Sequence, residues 1–138
     1  MKTGLETKIA RRRKKKGLWS KRSEYTKADG SVVIMDSTWE VAMAMRLDEL
    51  GIIWQRDAAM KLWYFTPAGR RRNYIPDFYL PDLDIYIEVK GYWTDTARTK
   101  MKDVVMRYPG KICILESLEE INQVKSIVPT TGSLSIDS

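Results

Sequence analysis

The segment Ile85-Tyr86-Ile87-Glu88-Val89-Lys90 alternates apolar and polar residues without a break, the period of a strand with one face against a core. Ile85, Ile87 and Val89 are expected on the core side, and Tyr86, Glu88 and Lys90 on the other. A carboxylate and an ammonium group therefore share one face of one strand. Just upstream, Pro76-Asp77-Phe78-Tyr79-Leu80 reads as a shorter strand and Pro81-Asp82 as a turn. The chain doubles back there, so Asp77 is expected beside Glu88. Each of these residues has a blander use: Glu88 and Lys90 as a solvated strand face, Asp77 as a turn former.

A third carboxylate enters from a helix. Ser37-Thr38-Trp39-Glu40 opens a stretch in which Trp39, Met43, Leu47 and Leu50 recur at helical spacing, and Gly51 stops it. Ser37 and Glu40 have the spacing of a capping box, in which Glu40 would reach back to the backbone. Glu40 also lies near the border of the apolar face, where it could turn toward a site.

What the chain lacks narrows the chemistry. It has no histidine and one cysteine, Cys113. That excludes a Ser-His-Asp or Cys-His hydrolase, a histidine-metal finger nuclease and a structural zinc site. Carboxylates, lysine and a hard metal ion remain. Cys113 sits in the apolar run Lys111-Ile112-Cys113-Ile114-Leu115, where a small core residue is expected and an intrachain disulfide is not possible. Free thiol usage fits the cytoplasm. No apolar run is long enough to cross a bilayer, and the charged N-terminus lacks the apolar stretch of a secretory signal.

These residues, in order, resemble the PD-(D/E)XK nuclease signature: Pro76-Asp77, then Glu88-Val89-Lys90, with Tyr74-Ile75 leading in and Gly91-Tyr92-Trp93 following. The likeness spans roughly residues 31–115 and resembles small phage endonucleases, notably the junction-resolving endonuclease I family and homing endonucleases of the same superfamily. The resemblance implies a restriction-endonuclease-like α/β core and DNA cleavage with Mg²⁺, for which Mn²⁺ is an expected substitute. It places Asp77 and Glu88 as metal ligands, with the Val89 carbonyl, and Lys90 on the attacking water. It also brings Glu40, the early-helix carboxylate, to the metal. A homodimer follows from the need to cut two strands. No organic cofactor or membrane partner is expected.

The charge is placed unevenly. Residues 1–24 hold ten Lys/Arg against Glu6 and Glu24, whereas residues 25–138 hold fourteen against sixteen acids. The block Arg11, Arg12, Arg13, Lys14, Lys15 and Lys16 is too repulsive to pack alone and is expected to lie along DNA phosphates. Arg70, Arg71 and Arg72, after the turn Pro67-Ala68-Gly69, are a candidate phosphate clamp. Arg98 and Lys102 share a helix face and are candidate DNA contacts, though helix solubility explains them equally well.

The expected organisation is a basic arm over 1–24, a nuclease domain over 25–128 and a polar tail over 129–138. Within the domain the sequence predicts a hairpin over 24–35, a helix over 38–50 and strands over 52–55, 61–66, 74–80 and 84–90. A helix running from Thr94 or Asp95 to Tyr108, a strand over 111–115 and a helix over 118–127 follow. The order suits a mixed α+β sheet flanked by helices. Trp54, Trp63, Tyr64 and Phe65 are expected to be buried, and Trp93 to pack at the core or its rim. The chain carries no separate sequence-reading module, which favours branched DNA over base-edge reading. A sequence-specific homing enzyme, or a non-catalytic DNA-binding protein on the same fold, are the competing functions.

Overall fold

The computed structural model describes residues 21–57 and 59–130. Two hairpins share one turn chemistry. Strands β1 (Ser23–Thr26) and β2 (Val32–Met35) pair antiparallel, as do β3 (Leu62–Phe65) and β4 (Arg71–Tyr74). The first loop closes through Gly30 N–H to the Lys27 carbonyl (2.9 Å) and Lys27 N–H to the Ser31 carbonyl (2.8 Å). The second repeats this with Gly69 to Thr66 (2.9 Å) and Thr66 to Arg70 (2.8 Å). Gly30 and Gly69 take φ of 89° and 83°, a left-handed conformation that side chains other than glycine's strain to adopt.

The central sheet has the order β5 (Phe78–Leu80), β6 (Ile85–Val89), β7 (Ile112–Leu115). β5 runs antiparallel to β6 and β7 runs parallel to it. The parallel step is made by the helix after β6, as such a crossover requires. Among the described residues three helices, α1 (Thr38–Glu49), α2 (Asp95–Arg107) and α3 (Leu118–Gln123), each start at a hydroxyl cap. Ser37, Thr94 and Ser117 accept from the backbone N–H three residues on, at 3.1, 3.0 and 3.0 Å, satisfying one otherwise orphaned donor apiece.

The sheet is covered on both faces. Ile85, Ile87 and Val89 join Met43, Ala44, Leu47, Phe78, Leu80 and Ile121 in one apolar cluster under α1 and α3. On the other face Ile112 packs with Met101, Val104 and Val105 of α2 and with Leu62 and Tyr74 of the β3–β4 hairpin, while Tyr86 and Trp93 pack against that cluster. Burying a side chain such as Ile87 or Phe78 contributes about 2 kcal/mol, so both layers hold the sheet in place. The described residues thus form a mixed α/β fold with three helices and small antiparallel and mixed sheets. No helix among the described residues is long and apolar enough to cross a membrane.

Several expected elements differ. The stretch 52–55 is not a strand; it contributes one bridge, Gln55 to Tyr79, and buries Trp54. The strand expected over 74–80 is two. Tyr74 ends β4 opposite Leu62, whereas Asp77 N–H bonds the Ile87 carbonyl (3.0 Å) of the central sheet. Pro76, which has no N–H to give a ladder, lies at the crossing. Helix α3 stops at Gln123, short of 127. The polar tail begins later than 129, because Thr130 donates to the Ile112 carbonyl (2.7 Å) and its hydroxyl accepts from Ile114 N–H (2.9 Å), covering the edge of β7. β1 begins at Ser23, inside the expected arm. Phe65, expected in the core, is exposed, and Trp63 and Tyr64 are half-buried. Met43, on the apolar face expected of its helix, is fully buried.

Candidate active site

The start of β5 and the end of β6 lie side by side, and this brings the predicted acids together. Asp77 continues the β5 ladder by one residue, and its Oδ2 accepts from Val89 N–H at 2.7 Å. In a strand the N–H and carbonyl of one residue point to the same edge, so the Val89 carbonyl is turned toward Asp77 as well. Glu88, one residue back on β6, is buried at 7 % exposure. The other side of β6 is not solvent, because the β3–β4 hairpin and α2 cover it. Tyr74 of β4 reaches across and donates its hydroxyl to Glu88 Oε1 at 2.6 Å. Lys100 of α2 lies over the Tyr74 ring, 5.4 Å from its centre, and its charge favours ionised Glu88, as does that of Lys90. The Lys90 ammonium is 5.7 Å from the centre of the Trp93 ring, and Trp93 donates to Glu116 (2.9 Å) at the rim of the core, as expected.

Glu40 arrives from the first turn of α1. It closes the capping box, but onto the Asp36 N–H (3.0 Å) rather than that of Ser37. The same oxygen, Oε1, also meets the Arg56 guanidinium at 2.7 Å. Arg56 binds the Asp77 carbonyl through Nη1 (2.9 Å), and Nη1 lies 3.9 Å from Asp77 Oδ1.

The electrostatics follow from burial. Asp77 is held well above the usual carboxylate range, first by desolvation, then by repulsion from Glu88 and Glu40; the Val89 N–H and Arg56 pull it back only in part. Burial also raises Glu88, against the Tyr74 hydroxyl, Lys90 and Lys100. Burial raises Glu40, opposed mainly by Arg56. Tyr74 is pushed well above its ordinary value by burial and by the Glu88 and Asp77 charges. Buried oxygens that repel one another lack positive charge, and a hard divalent ion is what such donors accept. Asp77, Glu88 and the Val89 carbonyl are the groups that fit it. Among the described residues no three Asp, Glu or Cys side chains are gathered so as to hold one metal ion; Mg²⁺ needs only one or two carboxylates, with water and phosphate completing its shell.

The predicted basic residues are dispersed. Arg71 and Arg72 lie on β4, and exposed Arg70 precedes them. Arg71 stacks on Trp63 at 4.7 Å. Arg72 lines a cleft of about 540 Å³ with Tyr64, Phe65, Thr99 and Lys100. Arg98 pairs with Asp95 at 3.1 Å, and Lys102 is exposed on α2. The run Arg11 to Lys16 lies outside the described residues. Arg56, Tyr74 and Lys100 had not been assigned roles at the site. The sequence signals for them were slight: Tyr74 heads the motif's lead-in, Lys100 sits midway between Arg98 and Lys102, and Arg56 follows a mostly apolar stretch.

No protein-family model, curated protein or solved structure matches the chain.

Proposed function

We propose that this protein is a Mg²⁺-dependent DNA endonuclease on a PD-(D/E)XK core, acting on branched DNA as a homodimer. The observation that carries the reading is the meeting of Asp77 and Glu88 at one end of the central sheet, both destabilised as anions by burial. Asp77, Glu88 and the Val89 carbonyl would hold the ion, which when bound would polarise a phosphate and acidify a water. Lys90 orients that water and offsets charge on the phosphorane-like transition state. Tyr74 fixes Glu88 from the opposite layer, and the Lys100 charge over the Tyr74 ring favours its anion. The water oxygen bonds to phosphorus in line, the bond to the 3′-oxygen breaks, and 5′-phosphate and 3′-hydroxyl ends result. Arg70, Arg71, Arg72, Arg98 and Lys102, with the basic run from Arg11 to Lys16, take flanking phosphates through contacts that weaken with salt.

The test is cleavage of a labelled four-way junction and a matched duplex, in Mg²⁺ or EDTA, by wild type and Glu88→Ala. Mg²⁺-dependent cutting of the junction alone, lost in the variant, is the expected result. Equal cutting of both substrates would rule out branch selection. Tight binding with no cutting of either would leave a long specific target absent from the test or a DNA-binding protein without catalysis.

A further inference from the structure

Arg56 is the most heavily engaged side chain near the acids. It stands in the irregular segment after Trp54, with its side chain 14 % exposed. Nε donates to the Ile34 carbonyl (2.9 Å) and Nη1 to the Asp77 carbonyl (2.9 Å), while Nη2 meets Asp36 Oδ2 (3.1 Å) and Glu40 Oε1 (2.7 Å). One guanidinium thus gathers four oxygens from β2, the loop after it, α1 and the start of β5. A guanidinium stays charged at any pH the fold survives, so this positive charge is permanent.

We infer that Arg56 stands as a built-in cation at the Glu40 end of the site, so that Asp77 and Glu88 hold a single divalent ion and Glu40 anchors Arg56 instead of binding metal. Three observations support this. Glu40 Oε1 already takes two donors, Arg56 and the Asp36 N–H. A second divalent ion at that end would meet the fixed charge at close range, where repulsion in a partly buried setting is large. Glu40 also does not join Asp77 and Glu88 in a three-acid metal group. The inference rests on the reading of Asp77 and Glu88 as the ion-holding pair, and it assigns Arg56 as a positioning residue that sets how many ions enter.

Mn²⁺ titration of the full chain, by calorimetry and by electron paramagnetic resonance of the free ion, tests it without any turnover. Wild type and Arg56→Lys should each bind one Mn²⁺ per chain. Arg56→Gln, which releases Glu40 and Asp36, should admit a second. Glu40→Gln should keep one ion, with affinity reduced by no more than the roughly 10–100-fold that loss of an outer-shell partner costs. Should Arg56→Gln fail to fold, Glu40→Gln decides alone. Two ions on wild type, or a loss well beyond about 100-fold in Glu40→Gln, would overturn the inference while leaving the metal reading intact. No Mn²⁺ bound by wild type would remove both.

Discussion

Tyr74→Phe isolates a neutral donor that touches Glu88. The substitution removes only the hydroxyl; the ring, 3 % exposed, stays packed against Leu62 and α2. The 2.6 Å bond to Glu88 Oε1 has a different worth in each protonation state of the acid. With Glu88 neutral it is an ordinary hydrogen bond, about 1 kcal/mol, and with Glu88 ionised a charge-assisted one, about 2–3 kcal/mol. Burial raises Glu88 above its ordinary 4.5. Its contribution to stability is therefore fully present below that value and is lost as pH rises through the folded one. The Tyr74 hydroxyl opposes that loss. Urea unfolding in EDTA should show Tyr74→Phe less stable than wild type by about 1 kcal/mol near pH 4.5, the difference growing toward about 2–3 kcal/mol as pH rises through the folded value. With m of about 1–2 kcal/mol/M, the larger difference moves the midpoint by about 1–3 M. An equal loss below and above the folded value, or none above it, would show that Glu88 is not held as an anion by Tyr74.

Two further outcomes follow from packing. A Cβ added at Gly91 would lie 2.9 Å from the Trp39 ring, so Gly91→Ala should cost about 1–3 kcal/mol by thermal unfolding and displace the chain directly after Lys90; full stability would mean that Trp39 moves freely. Burial pushes the Cys113 thiol up to about 11 from 9.0, which cuts the thiolate fraction at pH 8 by about 100-fold, so a thiol reagent should label native protein far more slowly than protein in urea. By the same shift, the Cys113 contribution to stability is present below pH 9.0 and lost as pH climbs toward 11; rapid native labelling would place the thiol at the surface.

The parts of this fold that were legible in the sequence are those written in local chemistry. Strict alternation marked β6, and Asp29-Gly30 and Ala68-Gly69 marked two turns whose glycines take positive φ. Ser37 and Thr94 marked helix starts that their hydroxyls do cap. The failures were positions decided by distant partners. Trp54 and its neighbours look like a strand because they are apolar, but the burial of Trp54 comes from Phe78 and Tyr25 rings at 5.3 and 5.9 Å, and a single bridge suffices. The apolar run through Tyr74 and Phe78 reads as one strand, yet its halves serve two sheets.

The same division runs through the site. Asp77 and Glu88 lie within one hairpin, so their proximity needed only a strand, a turn and a strand. Tyr74 and Lys100 belong to the layer that covers β6, and alternation alone cannot say that a polar face will be covered. That cover changes what the polar face of β6 is: Glu88 is buried to the same degree as Ile85 on the apolar face. Burying an anion is costly unless donors or a cation reach it, and the fold supplies Tyr74 and Lys100 to Glu88 and Arg56 to Glu40. Asp77 receives less: one backbone N–H and a guanidinium 3.9 Å away. The least compensated charge in the group is therefore at Asp77, between the Val89 backbone and Glu88, and that is the point to which a divalent ion would be drawn.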